Sequence, residues 1–365
     1  MRRMMTTLLI GLGMAAVLAG CGPDDAEVRT RVASRDGKST AHIVSSGRKE
    51  YVVKNDKRVG GKYDRVVRPV LSPDGGSVAA ATEKDGKWSV MRDGRQIGEE
   101  YDRVASPVFS PDSKSVAFVA KKAGKWSLMR DGRQVGESHD GVGRPSFSPD
   151  GQSVVHSATN GGESFLVKDG KALDGRYTQI WNPRFGPKGK SIACVAASGE
   201  ECFLVRDGVR VGGAYTRIRA WAFGPHGRSL AFVAMKGDDS FLVKDGAEVG
   251  DRFRAETVPQ LRFSPDASSV ALVTRSVDMW SILRDGLRVG AGFKADAVGP
   301  LMFSPDGRSV ALWARLQRRW FVVKDGVPLE GTYHRISDMR TSADGTRLVF
   351  TGTRSGKAER IEVPW

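Results

Sequence analysis

The 365-residue chain carries 57 Lys and Arg against 42 Asp and Glu, for a formal net charge of +15, with 44 glycines and three cysteines. Three cysteines exclude a disulfide-built scaffold, and abundant glycine with weak helical periodicity argues against helical bundles and solenoids. The basic balance favours an anionic partner, yet no nucleic-acid-binding motif accompanies it.

The chain opens Met1-Arg2-Arg3 and then runs apolar from Leu8 to Ala19. A charge followed by a short apolar run is the pattern of a secretory signal, too short for a stable membrane span. It closes on Leu18-Ala19-Gly20-Cys21. That tetrapeptide resembles the lipobox of bacterial lipoproteins. The resemblance implies several acyl chains on Cys21 and hence stable membrane attachment. Gly22, where an Asp would resemble an inner-membrane retention signal, favours the outer membrane, on its periplasmic side or at the cell surface. The expected organisation is a signal peptide over 1–20, a short lipidated tether over 21–26 and a single domain over 27–365. Export would also remove the protein from nucleic acid.

Beyond the leader one stretch recurs, clearest as Phe147-Ser148-Pro149-Asp150-Gly151-Gln152-Ser153-Val154. Pro presets φ at the second position, Ser can hydrogen-bond the backbone and Gly suits the exit, so Ser148 to Gly151 predict a type I turn between strands. Counterparts start at Ser34, Ser72, Ser110, Ser148, Gly186, Gly224, Ser264, Ser304 and Ser342, 38 residues apart except for the two 40-residue intervals flanking Ser264. A fixed period of this size signals a repeat architecture.

One unit, residues 105–142, predicts four strands. Strand a covers 107–109 and strand b, apolar throughout, 115–120. A polar loop follows over 121–125, then strand c over 126–129. Asp131-Gly132 forms a tight turn into strand d over 133–137. Asp-Gly recurs at the matching place from Asp93 to Asp325, and a Tyr-Asp-Arg-Val-like segment leads from each d strand into the next unit. The fold class is therefore all-β, a β-propeller of four-stranded blades. Nine copies of a, b and c but eight of d give nine blades with one outer strand missing, or eight with a terminal unit displaced. Packing blade on blade, with the ring closed, would hide the faces that one small sheet leaves open.

The Phe-Ser-Pro-Asp-Gly-x-Ser-Val-Ala pattern resembles the WD-repeat-like repeat of TolB-type periplasmic propellers and of propeller domains in some peptidases. The resemblance spans the chain from about Glu27 to Trp365 and implies the fold. It says little about activity, and the repeats outnumber the six of the TolB type.

Catalytic signals are sparse. His42 and His156 occupy the strand-b slot that Phe118 and Phe232 fill elsewhere, and His226 replaces a turn Asp. No Gly-x-Ser-x-Gly or comparable nucleophile motif is present. The turn aspartates Asp74, Asp112, Asp150, Asp266 and Asp306 read as turn chemistry rather than a metal ring, because Lys188 and His226 replace two of them. Cys194 and Cys202 sit diagonally on one predicted hairpin, which slightly favours two thiols over a bridge. Neither metal nor cofactor is expected.

Charge is the strongest functional signal. The d–a connections place Arg65, Arg68, Arg103, Arg144, Arg217, Arg219 and Arg335 on one face, and the b–c loops add Lys121, Lys122 and Lys125. Arginine suits bidentate recognition of carboxylate and phosphate. The expected function is a non-enzymatic binding or scaffold propeller whose basic face takes a protein or an anionic envelope polymer. The alternative is a propeller hydrolase or lyase with carboxylates near the central channel.

Overall fold

A computed structural model describes residues 27–365 apart from 35 and 106. The predicted signal peptide, the tether and the lipidation site Cys21 lie outside the described residues. Within them the chain forms nine antiparallel sheets and no helix, an all-β propeller architecture. Each sheet is a meander in which strands pair with their sequence neighbours. Blade 1 comprises Glu27–Ala33, Thr40–Ser46, Lys49–Lys54 and Lys57–Tyr63 as strands a to d; blade 2 comprises Arg65–Leu71, Val78–Lys84, Lys87–Arg92 and Arg95–Tyr101. In blade 3 strand a is split into Arg103–Val104 and Val108–Phe109, and Val116–Lys122, Lys125–Arg130 and Arg133–His139 follow. Blade 9 has Arg335–Thr341, Arg347–Arg354 and Lys357–Pro364 and no outer strand among the described residues. Nine blades, the last lacking strand d, is thus the arrangement that forms.

The turns repeat for identifiable reasons. The Gly151 amide donates to the Ser148 carbonyl at 2.9 Å, closing the predicted turn. Ser148 Oγ donates to Asp150 Oδ1 and accepts from the Ser153 amide, so each turn aspartate is bound within its own loop. Asp131, at φ +50°, ties the c–d turn back to strand b by accepting from the Val116 amide at 2.8 Å. The expected polar loop over 121–125 is shorter than predicted. Strand b runs to Lys122 and strand c starts at Lys125, so Ala123-Gly124 is a two-residue hairpin with φ +49° and +81°. Such primed turns match the right-handed twist of the strands they join.

The core lies in the seams between blades. On strand b of blade 3, Val116, Phe118 and Ala120 pack against Ala79 and Val90 of blade 2, while Ala117 and Leu128 face Val154 of blade 4. All are almost wholly buried. Two further devices recur at the seams. Arg130 donates to the Gln152 and Gly151 carbonyls of the next blade at 2.6 and 3.0 Å and lies over the Phe147 ring. Arg92 and Arg206 do the same across their own seams. At the outer rim Gly98 meets Gly132 backbone to backbone; a Cβ on Gly132 would fall 2.4 Å from the Gly98 nitrogen.

The seam between the two ends differs. Among the described residues no hydrogen bond, ion pair or apolar cluster joins blade 1 to blade 9. Thr40 and His42 stand on blade 1 where blade 3 has Val116 and Phe118. On blade 9 Arg360 pairs across from Thr351 in the register that joins Leu128 to Val119 in blade 3. Its side chain is 62% exposed and paired to Glu362 at 2.6 Å. The two end faces thus mix polar with buried apolar side chains: on the same faces Val44 of blade 1 and Val349 of blade 9 are 7% and 2% exposed.

Candidate functional site

The basic residues divide by what they touch. Arg92, Arg130 and Arg206 are structural, spent on carbonyls of the next blade. Lys49, Lys87 and Lys125 pair with Asp64, Asp102 and Asp140 at 2.6, 3.1 and 2.5 Å, so in the first three Tyr-Asp-Arg-Val-like segments the acid neutralises a strand-c lysine. The same acids accept from the b–c hairpins, as when the Asp85 amide donates to Asp64 at 2.8 Å. The Lys49 ammonium and this amide hold the Asp64 carboxyl below its usual range.

The arginines singled out from the sequence lie on the innermost strands. Arg65, Arg217 and Arg335 are the first residues of strand a in blades 2, 6 and 9, and Arg103 opens the split strand of blade 3; all four are exposed where d meets a. Arg68 is exposed at mid-strand, at φ +39° beside the bulge between Val67 and Val70. Arg144 is exposed between the two halves of the blade 4 strand, Gly141–Val142 and Ser146–Phe147. Arg219 is half-buried and already engaged, donating to the Glu256 carbonyl of blade 7.

The inner strand of every blade except the eighth carries arginine. Arg29, Arg31, Arg65, Arg68, Arg103, Arg144, Arg184, Arg217, Arg219, Arg262, Arg335 and Arg340 occupy these strands, with no lysine and with Glu27 and Asp338 as the acids. A cavity of about 920 Å³ runs along this wall from Val70 of blade 2 to Trp221 of blade 6. Arg144, Trp181, Asn182 and Arg184 line it, with Pro107 and Pro145 between them. A second cavity of about 350 Å³ continues past Arg184 and Trp221 to Arg219, Gln260 and Arg262. The wall thus brings together Arg144 and Arg219 of the predicted set. Arg65, Arg68, Arg103, Arg217 and Arg335 lie outside both cavities.

Arg184, Trp181 and Trp221 were missed by sequence reasoning because they sit in strand a, the least regular part of the repeat. In blade 5 that strand, Gln179–Phe185, is bulged between Trp181 and Arg184, and Asn182 takes φ +47°. Bulges re-aim side chains, and Trp181 is left 37% exposed. The Arg184 guanidinium lies 3.9 Å from the Trp221 ring centroid and donates to the Trp221 carbonyl at 3.4 Å. Crowding by the wall disfavours its charge and lowers its pKa. Trp221 belongs to Arg217–Phe223 of blade 6 and meets Phe223 edge-on at 5.9 Å. The result is a guanidinium held against an aromatic ring, suited to receiving a planar anion.

The remaining chemistry-bearing residues are committed elsewhere. Cys194 is a fully buried free thiol, its pKa pushed up to about 12 by desolvation, and Cys202 is free as well. Among the described residues no three His, Cys, Asp or Glu side chains group as a metal site.

No family model matches the chain. No curated protein matches it either. Among solved structures it is similar to TolB from Acinetobacter baumannii, at 16% identity over 72% of this chain and 77% of that one, with a TM-score of 0.31. It is also similar to the dihydro-heme d1 dehydrogenase NirN in complex with DHE, at 13% identity over 77% of this chain and 72% of that one, with a TM-score of 0.37. The propeller assignment rests on the nine sheets themselves.

Proposed function

We propose that this is a non-catalytic binding propeller of the cell envelope, held at a membrane by lipid on Cys21, that takes an anionic protein or polymer against its arginine-bearing inner side. The observation that carries the reading is the inner strands' use of arginine without lysine, while many other basic side chains are paired or spent between blades. A surface that needed only solubility would have no reason to choose the planar fork over the ammonium. The test is retention of the lipidated chain on anionic envelope polymers across a salt gradient. Binding should weaken steeply with salt and fall at least severalfold when Arg65, Arg103 and Arg217 are together replaced by Glu. Salt-insensitive binding, or turnover of a substrate by the pure protein, would overturn it. Cys21→Ala should release the protein from the membrane fraction.

A further inference from the structure

Resting on that polyanion reading, we propose that the inner wall of blades 4 to 6 is a binding site for a carboxylated oligosaccharide, with Arg144 and Arg184 receiving carboxylates and Trp181 stacking on a sugar ring. Three observations single out this ligand among polyanions.

The first is the aromatic component. Trp181 is the one tryptophan among the large apolar side chains left markedly exposed in the described residues, and it faces the larger cavity. A flat indole beside fixed cations suits the apolar face of a sugar whose substituents are hydroxyls and carboxylates. Asn182 and Ser146, in the same cavity, supply neutral hydrogen-bonding groups for the hydroxyls.

The second is the backbone. Strand a is the innermost strand of each blade, so its free edge would ordinarily invite an acidic peptide to add as a further strand. Here Pro69, Pro107, Pro145, Pro183, Pro259 and Pro300 interrupt these strands or their split halves. Proline removes a donor from the edge and blocks continuous pairing. Blade 6 keeps an uninterrupted inner strand, but in blades 4 and 5, which carry Arg144, Trp181 and Arg184, recognition falls to side chains, which favours a ligand without a peptide backbone.

The third is size and charge type. The cavity is lined by residues of five blades, and its volume of about 920 Å³, at the upper end of the roughly 300–1,000 Å³ usual for ligand pockets, has room for a short chain rather than a lone anion. Its cations are guanidinium groups, and Arg184 is oriented by Trp221. That geometry matches the planar carboxylate by paired parallel hydrogen bonds.

The test titrates the full mature chain in detergent with a short oligogalacturonate, a polyglutamate and a polyphosphate of equal charge, and a neutral maltooligosaccharide. Trp fluorescence and calorimetry are the readouts. Oligogalacturonate should bind about tenfold tighter than either other polyanion, a gap equivalent to about 1.4 kcal/mol, and the neutral sugar should not bind. Trp181→Ala should weaken it about tenfold while leaving the salt slope unchanged. Arg144→Gln with Arg184→Gln should weaken it and flatten that slope. Unchanged circular dichroism and melting would establish that the variants fold. Equal binding of polyglutamate or polyphosphate, or an indifferent Trp181→Ala, would overturn the saccharide assignment and leave the polyanion reading standing. If no polyanion binds at low salt, both fall.

Discussion

His156 shows how one residue can depart from its repeat at a cost. It fills the strand-b slot of Phe118 and Phe232, is 1% exposed, and donates through Nδ1 to the Ser157 carbonyl at 3.1 Å, leaving Nε2 without a partner. Desolvation drives its pKa down to about 4, and His139, 6.3 Å away ring to ring, adds to the effect. The unfolded chain, with an ordinary histidine pKa near 6.5, takes up the proton first as pH falls. Stability from this site is therefore complete above about pH 6.5 and is lost on acidification toward pH 4, by up to about 3 kcal/mol. Urea midpoints at pH 7.5 and 4.5 should differ more for the native chain than for His156→Phe, in which this contribution is absent; equal differences would refute the assignment. Gly132 makes the opposite case, a residue with no substitute. Its φ of +82° and its contact with Gly98 leave no room for a Cβ, so Gly132→Ala should cost about 2 kcal/mol or more in thermal or urea unfolding.

At the scale of elements, the blade was legible because its punctuation is chemical. Ser-Pro-Asp-Gly and Asp-Gly fix turn geometry through side chains that bind their own loops, and the apolar run from Val116 to Ala120 admits only a strand buried on both faces. The inner strand was far less legible. Its bulges, prolines and split halves erase the period-2 alternation, so Trp181 and Arg184 carried no recognisable pattern, and Arg219 gave no sign of its bond to blade 7. The strand-c arginines were equally opaque, since they act only across a seam that sequence spacing does not reveal. Arg130→Ala should lose about 2 kcal/mol, the scale for charged hydrogen bonds at a partly buried site, and Arg130→Lys should recover part of it. An Arg130→Ala variant with an unchanged urea midpoint would show that the staple contributes nothing.

For the whole molecule, the choice between eight and nine blades depended on where the last unit sits, and local pattern does not encode that. What distinguishes the two ends from the inner seams was nevertheless written in particular residues. Arg360 stands where blade 3 has the buried Leu128, and Glu362 stands where that blade has the stapling Arg130. Lys357, Glu359, Arg360 and Glu362 also blunt the free edge of the last strand against pairing with other chains.

The sparsely bonded seam between the two ends has a consequence for how the protein can change. A ring packed at every seam admits only the number of wedges that sums to a full turn, so its copy number is quantised. The seam between blades 1 and 9, which no hydrogen bond, ion pair or apolar cluster crosses among the described residues, relaxes that condition. Excising residues 110–147, one 38-residue period, would join strand a of blade 3 to strand b of blade 4 in phase. The shortened chain should fold cooperatively, with its melting temperature lowered by only about 5 °C or less; aggregation or loss of cooperativity would mean that the two ends depend on each other after all. Gain or loss of a whole period would then lengthen or shorten the inner wall without disturbing the site on blades that remain, leaving the reach of the binding surface free to vary one unit at a time.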